Sequence, residues 1–286
     1  MDTCPNSVCK KNVPVFVDRC PHCGVSLPVP NVRAAERPIE KAALQRRYDA
    51  AIQDAKHRDT ETITQEFEQS VAQSQAVIAR PVGEIDRLTS SDRELYTSYY
   101  HLVSARQRLP EDAGWSLFRA VADETIFHNY REHVRFAALT IDGKGLENYG
   151  DFFMVLREEM IAGRATVFEE NSVLWMKRHN LNYNDFDKLP PGSRATWPER
   201  GRLAVAKLGT KLETTTTSSD FTALLLQSGA TSEQDDFIEV HIYGDLSIHS
   251  VKQLILDTPR RKMQKHEVKK LQDKVKKLGA DVEVIT

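Results

Sequence analysis

The sequence predicts an α+β protein in three parts: a cysteine ribbon over residues 1–30, a linker and helical region over 31–133, and a β-rich domain over 134–286. Three observations predict it. All four cysteines lie within the first 23 of 286 residues. Neither Gly nor Pro interrupts residues 39–80, where apolar side chains recur at helical spacing. After residue 133 the chain turns to short β-branched runs bounded by turn residues. At 40% hydrophobic and 28% charged, the composition can bury a core and excludes a globally disordered chain. A formal net charge of -2 argues against wholesale polyanion binding and leaves local basic patches open. No stretch approaches the ~20 apolar residues of a membrane span, and no basic-then-apolar leader opens the chain. A cytoplasmic protein without a membrane partner is expected.

Each element follows in order. Cys4 and Cys9 are separated by four residues, Cys20 and Cys23 by two, and ten residues lie between the pairs. Four thiolates at such spacings suit a tetrahedral zinc site, and a segment of ~30 residues needs such a staple because it cannot bury a core alone. Two disulfides are the alternative, disfavoured without a secretion signal. With four protein ligands no position stays open for water, so structural zinc is expected. His22 would be a fifth ligand and is read as a bystander. The segment resembles a zinc ribbon, with a first pair wider than usual.

Pro28, Pro30 and Pro38 mark a linker. Leu44, Tyr48, Ile52 and Ala55, then Ile63, Phe67 and Val71, predict a long helix or a helical pair over 39–80, ended by Pro81. Ser90 or Ser91 can cap a further helix through Leu95, Tyr99 and Leu102, and a third is expected over 115–133. Residues 135–141 and 151–157 read as strand, turn, strand across DGKG, and 164–168 as another strand. Leu189-Pro-Pro-Gly192 breaks the chain before a short helix over 196–209, and the Thr/Ser run at 213–220 reads as an exposed loop. FIEVHIYG, residues 237–244, is the clearest strand. Strands at 250–256 and 280–285 flank a basic helix over 260–278, with nine Lys/Arg against Glu267 and Asp273. That helix is either a solvated face or a phosphate track, without an interleaved aromatic to stack a base.

Familiar catalytic fingerprints are missing. GKGLENYG fits neither a phosphate loop nor GxGxxG, and the chain has no GxSxG elbow, no HExxH and no second cysteine cluster. What remains is YGDFFMVLREEMIAGRATVFEENS at 149–172, followed by FIEVHIYGDLSIHSVKQLIL at 237–256. Along the second segment Ile238, Val240 and Ile242 share one face, and Glu239, His241 and Tyr243 the other. The polar row is either a cleft lining or a solvated strand face. Arg164 offers a planar fork for a pyrophosphate, or a surface ion pair with Glu158 or Glu159.

The two segments together resemble bacterial ADP-ribosyltransferase-type domains, over roughly residues 134–257. The resemblance implies an enzyme that cleaves the nicotinamide–ribose bond of NAD and passes ADP-ribose to a macromolecular acceptor, nucleic acid or protein. It implies Glu239 and His241 as catalytic residues, and Arg164, Thr166, Ser172 and Tyr243 as NAD-binding residues, with Arg80 as a second candidate for the NAD-binding arginine. Phe237 stands two residues before Glu239, where protein-arginine transfer would want Glu or Gln. A toxin or phage-defence role follows as an expectation, with a neutralising protein partner on the long amino-terminal helix. The alternative is a non-catalytic nucleic-acid or protein adaptor with a degenerate transferase fold.

Overall fold

The computed structural model describes residues 2–96, 98, 100–101, 113–182, 185, 188–257 and 265–285. Two short antiparallel strands, β1 (Asp2–Thr3) and β2 (Asn12–Val13), open the chain and hold Cys4 and Cys9 in the turn between them. A second turn, bridged between Arg19 and Ser26, carries Cys20 and Cys23, and Gly24 closes it at φ +71°. Val13 and Leu27 pack with Cys4 and Cys20 into a small core of their own. Helix α1 (Pro30–Ala35) follows, with Pro30 in its first turn, where a missing N–H costs nothing. Its Arg33 is buried and donates to the carbonyls of Val17 and Pro28, both at 3.0 Å, and to Asp2 Oδ2 at 3.1 Å. That one side chain clamps the ribbon to the body.

The helical pair expected over 39–80 exists as α2 (Pro38–His57) and α3 (Glu61–Ala72), but it ends early. Residues Gln75–Arg80 form a strand, β3, because Ala76, Val77, Ile78 and Ala79 are buried on both faces. Such an unbroken apolar run is the mark of an interior strand. After α4 (Val82–Leu88), the segment expected as a helix contains β4 (Leu95–Tyr96) in its first part and is helical at Tyr100 and His101, while Tyr99 and Leu102 lie outside the described residues. Tyr96 is held there by Arg80, which donates to its hydroxyl, and by Arg135, which donates to its carbonyl at 3.2 Å. Tertiary contacts override the local helix signal. Helix α5 (Ala113–Ile126) stops short of residue 133, with Asn129 turning at φ 70°.

The remaining elements are β5 (Val134–Thr140), β6 (Phe152–Leu156), α6 (Glu158–Ile161), β7 (Ala165–Phe168), α7 (Ser172–Arg178) and β8 (Arg194–Thr196). Then come α8 (Arg200–Leu208), α9 (Phe221–Leu225), β9 (Leu226–Gln227), β10 (Asp236–Phe237), β11 (Glu239–Tyr243) and β12 (Leu246–Ser247). The described chain ends with β13 (Val251–Asp257), α10 (Lys265–Lys277) and β14 (Asp281–Ile285). Eight strands build one sheet in the order β14-β13-β6-β3-β5-β11-β7-β8, antiparallel throughout except for β13 with β14. β5 and β6 are therefore not a hairpin, since β3 lies between them. The helical region thus supplies a central strand to the β-rich part.

One sheet face is covered by α2, α3 and α8, whose Leu44, Phe67, Val71 and Leu203 meet Ile78, Leu139 and Val240. The other lies under α5 and α7, where Ile126, Phe127 and Trp175 pack on Phe168. Each such side chain contributes on the order of 1.5–3 kcal/mol by leaving water. Among the described residues no helix is long and apolar enough to cross a membrane.

Gly150, at φ +138°, abuts the backbone of Arg80 and Pro81 where β3 ends, so that a Cβ there would overlap main-chain atoms that cannot yield. Gly150→Ala should cost on the order of 3 kcal/mol from overlap and backbone strain together. Urea unfolding of the two proteins side by side measures it; an unchanged midpoint would show that the contact relaxes freely.

Candidate functional site

Two clusters carry chemistry. In the first, Sγ atoms of Cys4, Cys9, Cys20 and Cys23 all lie within 4.8 Å of one another, with Cys4–Cys23 at 3.7 Å and Cys9–Cys20 at 3.8 Å. All four thiols are free of disulfides. A tetrahedron with metal–sulfur arms of ~2.3 Å has edges of ~3.8 Å, so the thiols stand at the spacing of a four-sulfur metal site. They can hold a metal ion. The backbone is arranged around them, with Cys9 N–H donating to Asn6 and Cys20 N–H to Val25.

The second cluster centres on Glu239, at the start of β11. Its face of the strand is not solvated: Glu239 and His241 are each 2% exposed, beneath α5 and α7. Glu239 Oε2 accepts from the backbone N–H of Ser172 at 3.1 Å and meets His241 Nε2 at 2.9 Å. Arg119, from α5, donates two N–H groups to Oε1 at 3.3 Å. Burial pushes the Glu239 carboxyl up, but the Arg119 charge and the hydrogen bonds from His241 and Ser172 hold it down at about 2. It is ionised. Burial also lowers His241, so the ring is neutral and its single N–H is the one facing the carboxylate. Phe127, Phe136 and Phe168 surround that ring at 4.6, 5.5 and 5.4 Å between centroids.

Arg119 serves a second carboxylate one turn along its helix. Its Nε lies 3.1 Å from Asp123 Oδ1, and the hydroxyl of Tyr100 donates to Asp123 at 2.7 Å. Burial raises Asp123, against the pull of Arg119 and Tyr100. The guanidinium carbon stands 3.9 Å above the Phe136 ring, which fixes the plane of the fork. Sequence reasoning missed Arg119, Asp123 and Tyr100. The one available signal was Arg-x-x-x-Asp at i, i+4 inside an apolar helix.

Of the other expected site residues, only Ser172 touches Glu239. Ser172 joins the cluster through its backbone, and its buried hydroxyl has no hydrogen-bond partner among the described residues. Thr166 stands opposite His241 in the strand register, where its hydroxyl accepts from Asn31 at 3.4 Å. Tyr243 is half-buried beside His133, two residues further along β11. Arg164 is spent on backbone carbonyls, those of Tyr243 at 2.6 Å, Asp245 at 3.0 Å and Met160 at 2.9 Å, rather than on Glu158 or Glu159. Arg80 alternates with Ala79 and follows Ile78 onto the sheet face opposite Glu239, with Glu84 and Tyr96 as partners. Neither arginine is brought to the carboxylate.

Arg119→Met should destabilise the fold by about 3–5 kcal/mol at neutral pH, because it leaves two buried carboxylates without a counter-charge. The sign with pH follows from the depressed Glu239: the stability it contributes is present above the ordinary carboxylate range and is lost as pH falls through about 2. The gap between wild type and variant should therefore narrow on acidification, as the variant's carboxylates protonate at higher pH. Denaturant titrations across the acid range measure it, and a gap that ignores pH would contradict the charge account.

No protein-family model matches the chain, and no curated protein matches it in sequence.

Proposed function

We propose that the chain is an NAD-dependent ADP-ribosyltransferase with a structural zinc ribbon, acting on a macromolecular acceptor. The carrying observation is Glu239: a carboxylate kept ionised in a dry setting by a guanidinium, a neutral imidazole and a backbone N–H. In this reaction the bond between the ribose C1′ and the nicotinamide nitrogen breaks, and its electron pair leaves with nicotinamide. The acceptor's nucleophile bonds to C1′ and releases its proton. A fixed carboxylate beside the ribose binds its 2′-hydroxyl and stabilises the oxocarbenium character that develops at C1′. Neutral His241 orients Glu239 through their hydrogen bond. Arg119, whose side chain is 18% exposed, supplies the guanidinium next to the carboxylate, in place of Arg164 and Arg80. The reading requires Arg119 to release Glu239 when the substrate enters, since it occupies Oε1.

That requirement sets the test. Purified protein incubated with labelled NAD and cell extract should transfer label to protein or nucleic acid. Glu239→Gln should lower turnover by on the order of 100-fold, with NAD binding reduced far less. A second reading is favoured by the burial of Glu239 and His241: a non-catalytic adaptor in which the cluster only holds α5 and α7 on the sheet. It predicts no NAD binding and no transfer by the wild type, and a Glu239→Gln variant that is merely less stable.

For the ribbon, the four thiols imply one structural zinc per chain with every coordination position filled by Cys4, Cys9, Cys20 and Cys23. Elemental analysis should find one zinc, lost on Cys20→Ser, with the ribbon unfolded and the body retaining its own core. Zinc-free protein with the ribbon intact would refute the assignment.

A further inference from the structure

The basic helix contributes something the NAD chemistry does not use. Helix α10 buries Leu271 and Val275 against the sheet and turns its lysines outward. Four of them, Lys269, Lys270, Lys274 and Lys277, line an open cleft of about 640 Å³ whose opposite wall is Thr89, Ser90 and Ser91, just after α4. The one carboxylate in the lining is Asp273. Lys274 is tied to Asp86, its Nζ 3.0 Å from the carbonyl and 3.6 Å from the carboxylate. Among the described residues Lys269, Lys270 and Lys277 form no ion pair, so three ammonium groups share the cleft with the single carboxylate of Asp273.

We propose that this cleft binds the sugar–phosphate backbone of a nucleic acid. The arrangement is linear: Lys269 and Lys277 are separated by about 12 Å of helix at ~1.5 Å per residue. A single phosphate would need converging donors, whereas a polyanion with a charge every ~3.4 Å per strand passes several phosphates along such a row. The exposed Ser90 and Ser91 supply further hydroxyl donors to phosphate oxygens, whereas the Thr89 hydroxyl is buried and donates to the Ile85 carbonyl at 2.7 Å. No Phe, Tyr or Trp lines the cleft and His266 is the one ring in its wall, so the binding rests on the phosphates and is largely indifferent to sequence. The cleft is also separate from Glu239. It belongs to the opposite sheet face, and the four strand spacings from β13 to β11 amount to roughly 19 Å at ~4.8 Å each. The proposal therefore stands whether or not NAD is a substrate.

The test uses the full chain and a labelled, mixed-sequence single-stranded oligonucleotide, followed by fluorescence anisotropy across a salt series. The logarithm of affinity should fall with the logarithm of salt at a slope of about −0.7 for each phosphate engaged. Replacing Lys269, Lys270 and Lys277 together by Gln should flatten that slope by about 2 and weaken binding at ~0.1 M salt by on the order of tenfold or more. Lys276→Gln, on the same helix but outside the cleft, should leave both unchanged. An undiminished slope in the triple variant, equal losses with Lys276→Gln, or a wild type that binds polyglutamate but no oligonucleotide would each overturn the proposal.

Discussion

The guanidinium of Arg119 is the contact on which the seating of α5 and α7 against the sheet depends. It is the counter-charge for two carboxylates, Glu239 from β11 and Asp123 from its own helix, beside a packed layer of aromatic and aliphatic side chains. A carboxylate there without a partner would be protonated or would draw in water. With Arg119 in place, Glu239 stays charged and binds the first turn of α7 through Ser172, so strand, α5 and α7 meet at one point. Buried ion pairs of this sort add little net stability over a hydrophobic substitute, yet they penalise any packing that separates the partners. The cluster thus specifies how α5 and α7 seat on the sheet.

A second buried arginine plays the parallel part for the ribbon. Arg33 reads the backbone of the ribbon through the carbonyls of Val15, Val17 and Pro28, and its charge meets Asp2. A planar fork with five donors suits such a task, which lysine could not perform. Phe16 adds an edge contact to His133, 5.8 Å between centroids, at the entrance to β5. The ribbon is an attached part of the body rather than a bead on a linker.

How much of this was legible in the sequence depended on the range of the interaction. The cysteine cluster was legible because its ligands are local and their spacing is itself the signal. The face alternation of β11 was legible too, since Ile238, Val240 and Ile242 are fully buried as their period requires. Whether Glu239 and His241 faced water or helices was not, because that depends on α5 and α7, distant in sequence. β3 was hidden by its position after two helices, with a composition either state accepts. Arg80 and Arg164 looked available for a ligand, but both are consumed by contacts from segments remote in the chain.

The place of β3 in the sheet has a consequence for synthesis. Its two neighbours, β5 and β6, are encoded well downstream, so that Arg80 waits roughly 70 residues for Phe152. At ordinary translation rates of about 5–20 residues per second, that is roughly 4 to 14 s. Until β5 is made the nascent chain carries an apolar strand with neither edge paired, and until β6 is made one edge stays open, while the cysteine segment ahead of it is already complete. The amino-terminal half therefore emerges as a finished knot of thiolates followed by an unfinished sheet. Nascent chains halted between β3 and β6 expose the segment most in need of a chaperone.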